Sequence, residues 1–265
     1  MTSSRDFASR ALGPVQRRRE PENADLSSRE SPEELGGPSE QAIELFGDTL
    51  PVARRYAELL ADAGVQRGLI GPREVPRLWE RHLMNCAVVE ELLPDGAEVV
   101  DIGSGAGLPG LVLAILRPDL SVTLLEPLLR RTVFLQESVD LLGLSNVTVR
   151  RGRAEEVKKE VRADFVTARA VAPLPKLAKW ALPLLRTGGS LLALKGEQAE
   201  AELEEARADL SRQRPCVADV IRVGRGKVDP ATTVVRVTVT TESDPAAPSR
   251  GQRASRGRKK RGRKR

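Results

Sequence analysis

Glu98-Val99-Val100-Asp101-Ile102-Gly103-Ser104-Gly105-Ala106-Gly107-Leu108-Pro109-Gly110 is the stretch whose reading decides the fold. Val99, Val100 and Ile102 form an apolar, β-branched run that reads as a buried strand. Glycines at every second position then allow a tight turn, and Leu108 to Leu116 continues as an apolar helix. Strand, glycine turn and helix make the opening unit of a doubly wound α/β sheet, a fold that binds ligands beyond the carboxyl ends of its strands. Glycine is needed in such a turn because a Cβ would keep a ligand away from the backbone.

The ligand is less directly legible. Gly105-Ala106-Gly107-Leu108-Pro109-Gly110 fits G-x-G-x-x-G, which leaves a nicotinamide or flavin dinucleotide open. The longer frame, Asp101-x-Gly103-x-Gly105-x-Gly107 with an acid closing the strand, looks more like an S-adenosylmethionine (SAM) loop. A second strand over 121–126 ends in Glu126, placed to accept hydrogen bonds from ribose hydroxyls. Both cofactor classes carry an acid at about this distance, so Glu126 points to adenosine without separating them. The alternative without a ligand is a glycine turn that only packs a helix on a sheet.

Further along, the α/β alternation continues with a helix over 128–142 and Gly143 as its cap. Strands follow at 146–150 and 164–168, then a helix from Pro175 to Leu185 and a strand at 190–194. A charged helix covers 198–211, and two last strands, about 217–223 and 231–240, have no helix between them. They should form an antiparallel hairpin, and a parallel sheet finished in that way favours a SAM methyltransferase topology over a dinucleotide one. Ahead of the sheet, residues 39–93 have helical periodicity, with segments marked by Phe46, by Tyr56 and Leu60, and by Trp79, Leu83 and Cys86. They read as a helical cap on a methyltransferase domain spanning 94–241.

The two ends differ from this core. Residues 1–38 mix Ser, Pro, Gly, Glu and Arg without periodicity and read as a disordered leader; 242–265 read as a disordered basic tail. The 265-residue chain has a net charge of +6, and ten Lys/Arg with no acid lie between Arg250 and Arg265, so the rest is net acidic. Arg258, Lys259, Lys260 and Arg261 are therefore expected to meet RNA phosphate without sequence preference and with strong salt dependence. No apolar run is long enough to span a membrane, no secretory h-region opens the chain, and Cys86 and Cys216 stand apart in no paired motif. A reducing, cytoplasmic location is expected.

Several side chains sit where strands should end in one crevice. Arg153-Ala154-Glu155 follows the third strand, Thr167-Ala168-Arg169-Ala170 closes the fourth and Lys195-Gly196 the fifth. Ala154 and Glu155 suit the adenine side. Arg169 stands beside the expected methyl-transfer point, where it should bond a carboxylate or phosphate because a cation would be repelled by a sulfonium. His82 and Cys86, four apart on one helix, could hold half a metal site, but with one His in the chain a packing role is favoured and no metal is expected. Arg81, His82 and Lys195 are candidate RNA contacts, and Trp79 and Trp180 candidate stacking surfaces or core residues. Pro215-Cys216 lies too far along the chain to act as a nucleophile at the fourth-strand loop, and is read as packing.

Taken together, Asp101-Ile-Gly-Ser-Gly-Ala-Gly-Leu-Pro-Gly110, Arg153-Ala-Glu155, Ala168-Arg-Ala-Val-Ala-Pro173 and Leu194-Lys-Gly196 resemble the ribosomal small-subunit methyltransferase G family, and Glu80-Arg81-His82 resembles that family's helical cap. The resemblance covers about 40–240. It implies a SAM-dependent enzyme methylating guanine N7 in the decoding-region loop of 16S rRNA, nucleotide 527 in conventional rRNA numbering. It implies cofactor contacts from Gly103, Leu108, Ala154, Glu155 and Arg169, to which the reading of the loop adds Asp101, Gly105 and Glu126. Two departures stand out: Pro127 follows Glu126 where a small polar residue is usual, and Ser104 replaces a common Thr. A neutral guanine has a free lone pair at N7, so no general base is required and none is assigned. There is no Asp/Asn-Pro-Pro-Tyr/Phe segment of the kind that serves exocyclic amines. The partner implied is 16S rRNA or the 30S subunit, and a monomer is expected. The competing readings are an NAD(P)-dependent oxidoreductase using Gly105-x-Gly107-x-x-Gly110 and a non-catalytic RNA-binding protein acting through its tail.

Overall fold

The structure is a computed structural model that describes residues 34–241. Apart from residues 34–38, which carry no helix or strand, the expected leader falls outside the described residues. So does the basic tail, with Arg258, Lys259, Lys260 and Arg261.

Seven strands form one sheet: β1 (Glu98–Ile102), β2 (Ser121–Glu126), β3 (Val147–Arg151), β4 (Ala163–Arg169), β5 (Leu185–Lys195), β6 (Cys216–Val223) and β7 (Thr232–Val239). Their spatial order is β3-β2-β1-β4-β5-β7-β6. The first five run parallel, and β7 is antiparallel to both β5 and β6. The sheet reverses its winding between β1 and β4, and that is where such folds leave a crevice. The expected hairpin is present with one added feature: its second strand, β7, lies inside against β5, and β6 takes the edge.

Side chains alternate between the two faces with the period of two that extended backbone imposes. Val99, Leu192, Leu194 and Val234 belong to one apolar cluster, while Val100, Leu191, Ala193 and Val235 belong to the other. The first cluster includes α4 (Gly110–Leu116), α5 (Leu129–Leu142) and the helical region before the sheet, with α1 (Glu40–Phe46) and α2 (Leu50–Leu59). The second includes α6 (Ala154–Val157), α7 (Leu174–Ala181) and α8 (Ala199–Gln213). Residues 40–92 thus form one of the sheet's two covering layers together with α4 and α5, and Tyr56, Leu60, Leu83 and Met84 are fully buried in it.

Three local differences from the sequence reading have physical causes. Helix α4 begins at Gly110, not Leu108, because Gly103, Gly105 and Gly107 all take positive φ and hold the backbone out of helix. The helical segment expected around Trp79, Leu83 and Cys86 is instead a succession of tight turns (Pro72–Arg77), wide turns (Leu78–Met84), the short α3 (Asn85–Ala87) and tight turns again (Val88–Leu92). Pro76, with no N–H to donate, prevents a regular ladder from entering this segment. Helix α7 stops at Ala181, and Leu185 already belongs to β5, which is longer than the apolar 190–194 run indicated. Helix α5 ends as expected, at Gly143 in the left-handed conformation (φ 67°).

Candidate active site

The loop that links β1 to α4 is held by its own backbone and by three side chains beneath it. Gly103 N–H donates to the Leu125 carbonyl on β2 at 2.8 Å, extending the parallel ladder one residue past the strand. Gly105 N–H donates to the Glu126 carboxylate at 3.0 Å, and the Tyr56 hydroxyl, fully buried on α2, donates to the Ala106 carbonyl at 2.8 Å. Asp101 lies under the loop. Its carboxylate accepts from the Thr167 hydroxyl at 2.9 Å and from Gly110 N–H, at the start of α4, at 3.3 Å. Burial pushes its pKa up to about 7, against those hydrogen bonds, which lower it. Gly110 has no room for a side chain: a Cβ there would stand 2.4 Å from Leu124 Cδ2 and 2.9 Å from the Asp101 carboxylate. This glycine lets helix and sheet meet.

Above the loop a cavity of about 650 Å³ opens at the carboxyl ends of the strands. Ile102 and Gly103 contribute from β1, Leu125, Glu126, Pro127 and Leu128 from β2, Gly152 to Glu155 from β3, and Ala170 and Val171 from β4. Arg131 of α5 and Lys176 and Trp180 of α7 complete the rim, with the Lys176 ammonium 5.0 Å from the Trp180 ring centre. The volume lies within the ~300–1,000 Å³ usual for pockets that enclose a small organic ligand. Glu126 is 1% exposed, and its two oxygens accept from Gly105 and Leu128 N–H groups, which fixes the carboxylate at the cavity wall. Each carboxylate oxygen retains further acceptor capacity, as a ribose hydroxyl would require. Gly103, with φ 66°, leaves the backbone uncovered: a Cβ there would come 3.1 Å from Val171 Cγ2 on the opposite wall. A glycine cradle, a fixed acid and an apolar slot suit an adenosine-bearing cofactor such as SAM.

The wall from β4 is built differently. Ala170 takes φ 54°, the single positive φ of a non-glycine among the described residues, a conformation that costs such a residue roughly 1–2 kcal/mol. Lys195, at the end of β5, donates to the Ala172 carbonyl at 3.1 Å and to Glu202 of α8 at 2.8 Å, and the same Glu202 oxygen accepts Leu174 N–H at 2.6 Å.

Of the residues singled out in the sequence, Gly103, Glu126, Ala154 and Glu155 line the cavity. Gly105 and Leu108 belong to the loop that frames it, whereas Asp101 is completely buried beneath that loop and shapes it from below. Arg169 has two partners within the chain that the sequence did not reveal: its guanidinium meets His82 Nδ1 at 2.7 Å and Cys86 Sγ at 3.3 Å. Since arginine only donates, Nδ1 is the acceptor, and Nε2–H donates to Glu74 at 2.7 Å, so the ring is a neutral Nε2–H tautomer. Burial and then the Arg169 charge lower the His82 pKa, in keeping with that state. His82 and Lys195 are therefore tied within the protein and do not present the free groups expected of RNA contacts. Arg81 is exposed and paired with Glu74 at 3.1 Å. Trp79 is core, edge-on to Phe46, while Trp180 is half-buried at the cavity rim. No cluster of His, Cys, Asp or Glu suited to a metal occurs among the described residues. The roles of Tyr56, Lys176 and Glu202 were not foreseen: Tyr56 was marked as an apolar helix position, and Lys176 and Glu202 were charges on helices with no motif around them.

Comparison with known proteins shows the family. A family model described as rRNA small subunit methyltransferase G matches residues 50–227. A Thermobifida fusca protein named ribosomal RNA small subunit methyltransferase G is 80% identical over 231 residues, covering 86% of this chain and 98% of that relative. A Streptomyces avermitilis protein of the same name is 63% identical over 207 residues, 78% of this chain and 87% of the relative. Among solved structures, a putative S-adenosyl-L-methionine-dependent methyltransferase from Methanococcus maripaludis aligns with a TM-score of 0.51 at 13% identity, over 71% of this chain and 92% of that one. That last likeness concerns the fold alone.

Proposed function

The chain belongs to the rRNA small subunit methyltransferase G family, and from that premise we propose that it methylates N7 of a guanine in the decoding-region loop of 16S rRNA. It is a SAM-dependent methyltransferase, and the dinucleotide reading of the glycine loop and the reading as a non-catalytic RNA-binding protein acting through its tail are not favoured. The observation that carries the proposal is the cavity in which the Gly103 cradle, the fixed Glu126 carboxylate and the Ala154-Glu155 turn converge. Glu126 would accept from the ribose, Ala154 and Glu155 would flank the adenine, and Gly103, Gly105 and Leu108 would shape the loop under the methionine portion. When bound, SAM supplies a methyl group on a positively charged sulfur. Guanine N7 already carries its lone pair, so this chain's residues need not move a proton, and their contribution is alignment of donor and acceptor. Arg169, at the end of β4, would hold the cofactor's carboxylate with the N–H groups that His82 and Cys86 leave free. The reading takes ribosomal RNA as the partner and expects a cytoplasmic monomer.

The test is methyl transfer from labelled SAM to 30S subunits and to protein-free 16S rRNA lacking the modification, with the product located by mass spectrometry of digested RNA. Label at one guanine N7 in the decoding-region loop is the expected result. Label elsewhere would keep the enzyme class and overturn the target, and no label on either RNA would overturn the substrate.

A further inference from the structure

We infer that Lys195 and Glu202 are positioning residues for SAM binding, acting through the cavity wall after β4. The proposal rests on the cavity being the SAM site. Ala170 and Val171 form that wall, and Ala170 sits in a left-handed conformation that an alanine does not hold without outside constraint. On its amino-terminal side the constraint is the β4–β5 ladder, which pairs Arg169 with Leu194. On the other side Pro173 fixes its own φ and restricts Ala172, but Ala170 and Val171 carry no such restraint of their own. The next two fixed points are the Ala172 carbonyl, which accepts from Lys195, and Leu174 N–H, which donates to Glu202. Lys195 and Glu202 also bond each other, so one half-buried ion pair grips the loop at two atoms.

What the grip sets is the distance between the two cavity walls. Val171 lies against Gly103, close enough that even a methyl group on that glycine would touch it. If the loop relaxed to an ordinary backbone conformation at Ala170, Val171 would move and the slot would change width on the side opposite the glycine cradle. The ion pair itself lines no part of the cavity. Its effect on the cofactor is therefore indirect, and distinct from the RNA contact that Lys195 suggests when read from sequence alone.

The experiment measures SAM affinity by titration calorimetry on the full chain, beside steady-state methyl transfer with SAM and RNA varied separately. K195M and E202A should each weaken SAM binding about tenfold, the loss expected when a hydrogen bond to a charged group is removed. The KM for RNA and the kcat at saturating SAM should stay within about threefold of wild type on the same scale. The double variant should lose no more than the worse single, since the two residues act through one loop. Adding A170G to E202A should recover most of the lost affinity, because glycine holds a positive φ without a clamp. Should E202A fail to fold, E202Q keeps an acceptor for Leu174 N–H, loses the ion pair, and should weaken SAM binding by a smaller factor. Losses that multiply in the double variant, or no recovery with A170G, would overturn the proposal. So would a rise in KM for RNA with SAM affinity intact, the signature of a direct RNA contact. A wild-type chain that does not bind SAM would remove the premise and overturn the reading of the cavity itself.

Discussion

The loops after β1 and β4 face each other across one cavity, yet they are held by opposite means. The β1 loop carries its conformation in its own composition: three glycines at positive φ, whose N–H groups donate to Leu125 of β2, to the Glu126 carboxylate and to the Ser104 carbonyl within the loop. The β4 loop is a stretch of alanines, a valine and a proline, and its shape comes from Lys195 and Glu202, 23 to 28 residues further on. A wall encoded locally tolerates changes in the rest of the molecule and fails when its own residues change. A wall encoded at a distance has the reverse weakness.

The sharpest way to break the first wall is G103D. It puts a carboxylate in the cradle, toward Val171 and in the same cavity as Glu126. An unpaired charge in such a site costs roughly 3–5 kcal/mol, so SAM binding should fall by a hundredfold or more. Calorimetry would detect it, and wild-type affinity in this variant would end the assignment of the cradle to the cofactor.

A smaller effect tests what lies beneath that loop. Asp101 has a pKa near 7 in the fold, above the ~3.9 of an unfolded chain, so the folded state binds the extra proton between those values. Stability from this group is therefore present at low pH and lost as pH rises through 7, about 2 kcal/mol between pH 5.5 and 8. His82, with a lowered pKa, acts in the opposite direction at the acid end, so the difference between wild type and D101N is the quantity to follow. Urea titrations at the two pH values should find that D101N lacks the loss. Smaller again is Y56F, which leaves the Ala106 carbonyl without its buried donor and should cost about 1 kcal/mol in the same assay, with SAM affinity down a few-fold.

The contrast between the walls also explains what could be read from the chain. Strand one, the glycine loop, Glu126 and the closing hairpin were legible because each depends on neighbours in sequence: β-branched runs, alternating glycines, an acid at a strand end. Ala154 and Glu155 were legible as positions, since a strand of known direction must end in the crevice. The partners of Arg169 were not: a sequence separation of 87 between His82 and Arg169 gives no periodic signal. Tyr56 was marked as an apolar helix position, and its hydroxyl's task 50 residues away became visible only when α2 was set against the loop. Lys195 was legible as a strand-end residue, but its bonds to Ala172 and Glu202 were not, because a lone lysine beside a glycine looks like a solvent-facing charge. Its carboxylate partner sits one helix further on.

The placement of β7 has a consequence for synthesis. Strand β5 presents Leu191 to Leu194 along an edge that only Thr232–Val239 covers, and β6, made earlier, lies outside it. During translation, every chain that includes β5 but ends before about residue 232 exposes an unpaired apolar edge in the middle of the eventual sheet. β6 emerges first and could occupy the edge meant for β7. A nascent protein of this design depends on late completion, and stalled or truncated chains should aggregate through β5, whereas those released after Val239 should not.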